Sequence, residues 1–206
     1  MLEYPFIAIE VAGAAAMFAR PDTGVTPVSY PVPTYSAAKG LFEAIAWRST
    51  VYINPFCVEV CAPIRYERYV TNYGGPFRKP GQIKNDTNYQ LIATILVDVL
   101  YRIHAVVKGK ERSGRRDHAR ELWDRFQERL KSGQTCYTPC LGWKEFVPSY
   151  FGPLRPQTKP DESVNLIIPS MLQSVWEHGH VRPRYRQAQI INGVMSYNNQ
   201  KSADVK

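Results

Sequence analysis

The chain has 206 residues, 44% of them hydrophobic, and 26 Lys and Arg against 18 Asp and Glu, for a formal charge of +8 and a pI near 9.3. That length supplies one full core plus an appendage, and the cation excess suits a polyanionic partner, because clustered Lys and Arg displace counterions from phosphates. No run approaches the ~20 apolar residues of a membrane helix, and the apolar N-terminus has no basic leader and is broken by Glu3 and Glu10, so a soluble, cytoplasmic chain without membrane contact is expected.

Taken in order, Tyr4 to Val11 is an almost unbroken apolar run and reads as a strand buried on both faces. Pro21 to Pro33 is a surface loop rich in Pro and Gly. Thr34 or Ser36 then caps a helix running to about Arg48, with Leu41, Phe42 and Ile45 on its apolar side. Thr50 to Val60 alternates, is rich in β-branched residues, and reads as a second strand.

Between Arg65 and Asn88 the character changes. Tyr66, Tyr69, Tyr73 and Phe77 are interleaved with Arg65, Arg68, Arg78, Lys79 and Lys84, and broken by Gly74-Gly75-Pro76 and Pro80-Gly81. That pattern reads as a projecting hairpin or long loop. Leu91 to Val97 and Val99 to Val107 follow as strands. A basic linker from Lys108 to Arg116 leads into a helix from about Asp117 to Lys131, with a Leu122, Phe126, Leu130 stripe and Gly133 as its stop.

Trp143 to Tyr150 is the candidate last strand, which completes a β-α-β-β-α-β order. The expected class is therefore α+β, a ferredoxin-like (RRM-like) domain over residues 1–147 with a protruding hairpin at about 65–88. Residues 148–206, with short runs at Val164 to Ile168 and Met171 to Trp176, are expected to form a small β-rich extension with a basic tail bearing Arg182, Arg184 and Arg186. A ferredoxin-like plan hosts many functions and names none.

Three constellations could carry chemistry. The hairpin mixes cations with rings, the combination that suits single-stranded nucleic acid, where cations follow the backbone and a base stacked on a ring contributes about 1–3 kcal/mol; a solvated hairpin with tyrosines packed at its base is the bland alternative. Lys108 to Arg116 holds five cations and one acid just before a helix start, a candidate phosphate site that includes Arg115 and Arg116. His118, next to those arginines, could serve metal-independent RNA cleavage, in which a base activates the 2′-hydroxyl and a cation steadies the phosphorane; a surface histidine at a helix start is the plainer reading.

Four cysteines form two CxxxC pairs, Cys57/Cys61 and Cys136/Cys140, which raises a zinc-bound interaction module as a remote reading. Strand geometry opposes it, since four residues in a strand span roughly 13 Å. Reduced, packed thiols are expected, with no metal and no cofactor.

Several strings point further: Ile9-Glu10-Val11 through Phe18-Ala19-Arg20-Pro21, Val28-Ser29-Tyr30-Pro31-Val32-Pro33-Thr34, and Ala37-Ala38-Lys39-Gly40-Leu41-Phe42-Glu43-Ala44-Ile45-Ala46-Trp47. With Pro63-Ile64-Arg65, Pro139-Cys140-Leu141-Gly142-Trp143-Lys144-Glu145-Phe146 and Val175-Trp176-Glu177-His178-Gly179, they resemble the CRISPR-associated Cas-five family, nearest the subtype I-C kind, over most of the chain to about residue 182.

The resemblance implies an RNA-binding fold of the RAMP type whose thumb corresponds to the 65–88 hairpin. It implies a subunit that holds the 5′ handle of the CRISPR RNA in the Cascade surveillance complex. Its neighbours would be the large subunit and a backbone subunit, and target DNA would be met only through the complex. Lys39, Arg48, Arg65, Arg68, Tyr73, Arg78, Lys79, Lys84, Arg115 and Arg116 are the candidate RNA contacts.

Subtype I-C members also cut precursor RNA without metal, and there the chain departs from the pattern. A tyrosine expected before the helix-end tryptophan is Ala46, and the expected Lys-His pair falls on Glu121 and Leu122. Shifting the register by about one helical turn brings His118 to that place, with Arg115 or Arg116 as the cation. In the simplest register the mismatches favour a non-cleaving subunit, with endoribonuclease activity as the alternative.

Overall fold

Strand propensity along Tyr89–Gly109 is sustained enough to make one 21-residue strand, β4, around which the rest is arranged in the computed structural model. The structure describes residues 6–73, 79–109, 116–177 and 180–197. On one edge of β4, β1 (Phe6–Ala16) runs antiparallel from Phe6↔Val106 to Ala16↔Leu96. On the other edge, β2 (Val51–Val60) pairs with the C-terminal half of β4 and β3 (Arg65–Tyr73) with its N-terminal half, both antiparallel. The break between β2 and β3 at Cys61 to Ile64 lies opposite Asp98, whose φ of +51° places it in the left-handed region and kinks β4.

The helices α1 (Tyr35–Ile45) and α3 (Arg116–Ser132) pack on the sheet; Thr34 Oγ1 accepts from the Ala37 amide to cap α1, and the Phe42 and Phe126 rings meet at 5.9 Å. Ile7, Ile9 and Val11 of β1, Val51, Ile53, Val58 and Val60 of β2, and Tyr101, Ile103, Ala105 and Val107 of β4 are all buried. Each larger aliphatic side chain so buried stabilises by about 1.5–3 kcal/mol.

After α3 the chain returns as a short strand, β5 (Tyr150–Gly152), on the outer edge of β1. β6 (Leu166–Glu177) and β7 (His180–Ile190) form their own two-stranded sheet, and β8 (Val194–Ser196) rejoins the main sheet beside β2. Met195 and Tyr197 are buried in the same core as α1. The architecture is a mixed α/β one with a largely antiparallel sheet in the order β5-β1-β4-β2-β8 and few helices.

Several sequence expectations are corrected. Trp143 to Tyr150 is not a strand: the Leu141 amide donates to the Phe146 carbonyl and the Phe146 amide to the Trp143 carbonyl, a local turn that leaves only Tyr150–Gly152 for the ladder. α1 stops at Ile45 rather than near Arg48, because the last carbonyls are taken from outside. The Cys136 amide reaches the Ala44 carbonyl at 2.6 Å, and Arg129 Nη1 reaches that of Ile45 at 2.9 Å. The two strands expected at 91–97 and 99–107 are one kinked strand, the two short runs after residue 163 are one long β6, and a one-turn helix, α2 (Pro80–Lys84), lies inside the excursion.

One buried charge ties the C-terminal part to the sheet. Glu10 is fully buried, accepting from the Arg155 side chain at 2.5 Å, the Arg155 amide at 2.8 Å and Thr158 Oγ1 at 2.9 Å. Burial alone would raise its pKa, but those bonds together hold the carboxyl below the usual range.

Candidate nucleic-acid interface

Where α1 hands over to β2, the chain gathers a polar cluster. Arg48 pairs with Glu121, and His118 Nδ1 stands 3.1 Å from Thr50 Oγ1. Thr50 comes from the turn before β2, and His118 and Glu121 from the first turns of α3, where they lie three apart on one side of the helix. The Arg48 hydrogen bond is the first cause holding the Glu121 carboxyl below its ordinary pKa. Trp47 and Tyr52 are exposed at the same end of the sheet, and Lys108 lies opposite Tyr52 in the β2/β4 ladder. Tyr52 and Lys108 alternate with Val51, Ile53 and Val107, which are buried under the helices, so they lie on the sheet face turned away from α3 and His118.

The second concentration is an arm. β1 stops pairing with β4 at Leu96, so among the described residues Tyr89 to Ile95 has β3 on one edge and, on the other, a bridge at Thr94 to the Pro27–Ser29 turn. Period-two alternation sorts the arm into two faces. Tyr69, Thr71, Leu91 and Tyr89 look toward the loop at 141–146, where the Tyr69 ring meets Phe146 at 5.5 Å and Trp143 at 6.5 Å. Tyr66, Arg68 and Val70 lie on the other face and are exposed.

These two surfaces are separate. From Gly109, opposite Val51, to Val97, opposite Arg65, β4 runs twelve residues, about 40 Å of strand. Lys39 and Arg48 sit at the helical end and Arg65, Arg68, Lys79 and Lys84 on the arm, so the expected cations do not meet in one small site. Lys39 pairs with Glu43 at 3.5 Å and Arg65 with Asp98 at 2.7 Å, while Arg68, Lys79 and Lys84 are exposed. Arg78 and Arg115 lie outside the described residues, as do the side chains of Tyr73 and Arg116.

The cysteines make no shared site among the described residues. Cys57 and Cys61 have thiols pushed up to about 11 and about 12, chiefly by burial and then by Glu59, and Cys136 lies against Arg129. No group of three or more His, Cys, Asp or Glu there is placed to hold a metal ion.

Compared with known proteins, the chain matches the model of the CRISPR-associated protein family Cas_Cas5 (Cas_Cas5d) over residues 6–196. It belongs to that family. The CRISPR pre-crRNA endoribonuclease Cas5d of Thermus thermophilus is 35% identical over 80% of this chain and 70% of its own length. The enzyme of the same description from Mannheimia succiniciproducens is 30% identical over 92% and 93%.

Among solved structures, a CRISPR-associated protein superposes with a TM-score of 0.73 at 19% identity, covering 100% of this chain and 97% of that one. A chain of a CRISPR RNA-guided surveillance complex does so at 0.51 and 16%, covering 89% and 88%. At those identities the likeness is one of fold.

In this Cas5-family chain the three positions that the resemblance marks are occupied as follows: Ala46 and Leu122 are buried in the core, and Glu121 is engaged by Arg48. His118 lies at that end, beside Thr50. Its Thr50 partner was missed in the sequence because the two are 68 positions apart and nothing local links them. The expected strand at 143–150 hides the ring platform at Trp143; the glycine before it, Gly142, which adopts φ +91° with no room for a Cβ, is the local sign of a turn.

Proposed function

We propose that this chain is the RNA-binding subunit of a type I Cascade surveillance complex that holds the 5′ handle of the CRISPR RNA in antiviral defence. Family membership supports this, and the observation that carries it is the arm, a two-stranded projection with exposed Arg68, Lys79 and Lys84 and exposed rings. The arm is read as the thumb. The order β5-β1-β4-β2, antiparallel throughout, is that of a ferredoxin-like sheet with β4 as its third strand, and supports the RAMP assignment. Residues 148–206 are read as an extension that lends β8 to that sheet. The partners on this reading are a backbone subunit, the large subunit and, through the complex, target DNA.

Purified chain titrated with its own repeat RNA should bind tightly and lose affinity steeply with salt. Binding no tighter than to an unrelated RNA of equal length, or with no salt dependence, would overturn the reading.

A second reading is favoured by two observations: the relatives are named pre-crRNA endoribonucleases, and His118 stands beside Thr50 and near the Arg48–Glu121 pair. His118 would then exchange the proton of the attacking 2′-hydroxyl or of the leaving 5′-oxygen, and Arg48, released from Glu121, would steady the phosphorane. Repeat RNA incubated with the chain in EDTA distinguishes the two. A discrete cut that disappears in His118→Ala establishes cleavage, and intact RNA leaves a binding subunit.

A further inference from the structure

The arm, the loop before β1's outer partner and the turn at Gly24 to Pro27 enclose a cleft of about 780 Å³, within the roughly 300–1,000 Å³ of small-ligand sites. Trp143, Tyr89 and Leu91 make its apolar walls, and Thr71, Lys144 and Glu145 its polar margin, the acid next to the cation in the same loop. Trp143 is held as a platform. Its ring stacks on Phe146 at 5.9 Å and 14°, with Tyr69 edge-on to both.

The loop that carries Trp143 is pinned. The Met17 amide donates to the Leu141 carbonyl at 2.8 Å, and Gly142 passes so near β1 that a Cβ there would lie 1.8 Å from the Met17 carbonyl oxygen. An aromatic wall fixed before any ligand arrives loses little entropy on binding.

We infer that this cleft takes one unstacked base of the bound RNA, laid against Trp143 with its edge toward Thr71 and its phosphate toward Lys144. This rests on the RNA-binding reading and adds to it a base-holding subsite. The occupant follows from the chemistry: a ring wall beside a hydroxyl and a cation is what an unpaired nucleotide uses, by stacking, an edge hydrogen bond and phosphate contact. An aliphatic side chain would leave Thr71 and Lys144 unanswered. Cations outnumber acids along the arm that forms the other wall, which complements a polyanion.

The test uses the full chain and its own repeat RNA with 2-aminopurine placed at each position in turn. One position should show strong quenching on binding, lost in Trp143→Leu, with affinity weakened roughly 10-fold. Removing the base at that position should weaken wild type equally, and Trp143→Leu no further. Wild type that binds with no quenched position overturns the base subsite and leaves the RNA-binding reading standing. A Trp143→Leu loss that persists in full on the abasic RNA also overturns it, since the effect is then on folding. Wild type that fails to bind at all overturns both.

Discussion

The two halves of β4 are one strand with two fates. From Tyr101 to Gly109 it lies between β1 and β2, and Tyr101, Ile103, Ala105 and Val107 are sealed under the helices. From Tyr89 to Ile95 it has, among the described residues, a single full partner, β3; Ala93 and Ile95 are buried, while Val70 and Arg68 across that ladder stand in solvent. The kink at Asp98 marks the change. The C-terminal half tolerates little, whereas along the arm Ala93 and Ile95 are still buried but the outer face of β3 can carry rings and charges at small cost to folding, so stability and binding are expected to separate between them.

That separation can be broken by substitution. Phe126→Ala, which empties a fully buried ring position under the C-terminal half, should cost about 3–5 kcal/mol in urea unfolding, while Val70→Ala on the arm should stay within about 0.5 kcal/mol; equal losses would contradict the contrast.

Glu10→Gln tests the charge buried behind the same half, and should cost about 1.5–3 kcal/mol, as for a hydrogen bond to a charged group. Because the folded Glu10 pKa is lowered, its contribution is present above the ordinary value of 4.5 and is lost as pH falls from there through the folded value. In the variant, the acid limb of stability between those two values should flatten.

Smaller still, Arg65→Ala breaks an exposed pair with Asp98 and should change stability by less than about 1 kcal/mol. Arg68→Ala should leave the melting curve in place and reduce the salt slope of RNA binding by about 0.7 if it neutralises one phosphate of a single strand.

Much of this was legible in the sequence, and unevenly. The α3 stripe of Leu122, Phe126 and Leu130 and the Thr34 cap gave helices within a few residues, because periodicity and capping are local signals. The 65–88 excursion was legible from glycines, prolines and tyrosines. What stayed hidden depends on distant partners: Arg129 ending α1, Arg155 answering Glu10, β8 returning to β2, and Thr50 meeting His118. The site was legible as residue types rather than as one place, since composition cannot say that Arg48 and Arg68 lie at opposite ends of a strand.

The most direct measurement is the salt dependence of repeat-RNA affinity for the wild-type chain and for the variant with Arg65, Arg68, Lys79 and Lys84 all changed to Ala. If the arm grips the strand, the slope of log K against log salt should fall by up to about 3 units, at roughly 0.7 per phosphate, while urea unfolding stays near wild type. An unchanged slope would place the RNA elsewhere and contradict the account.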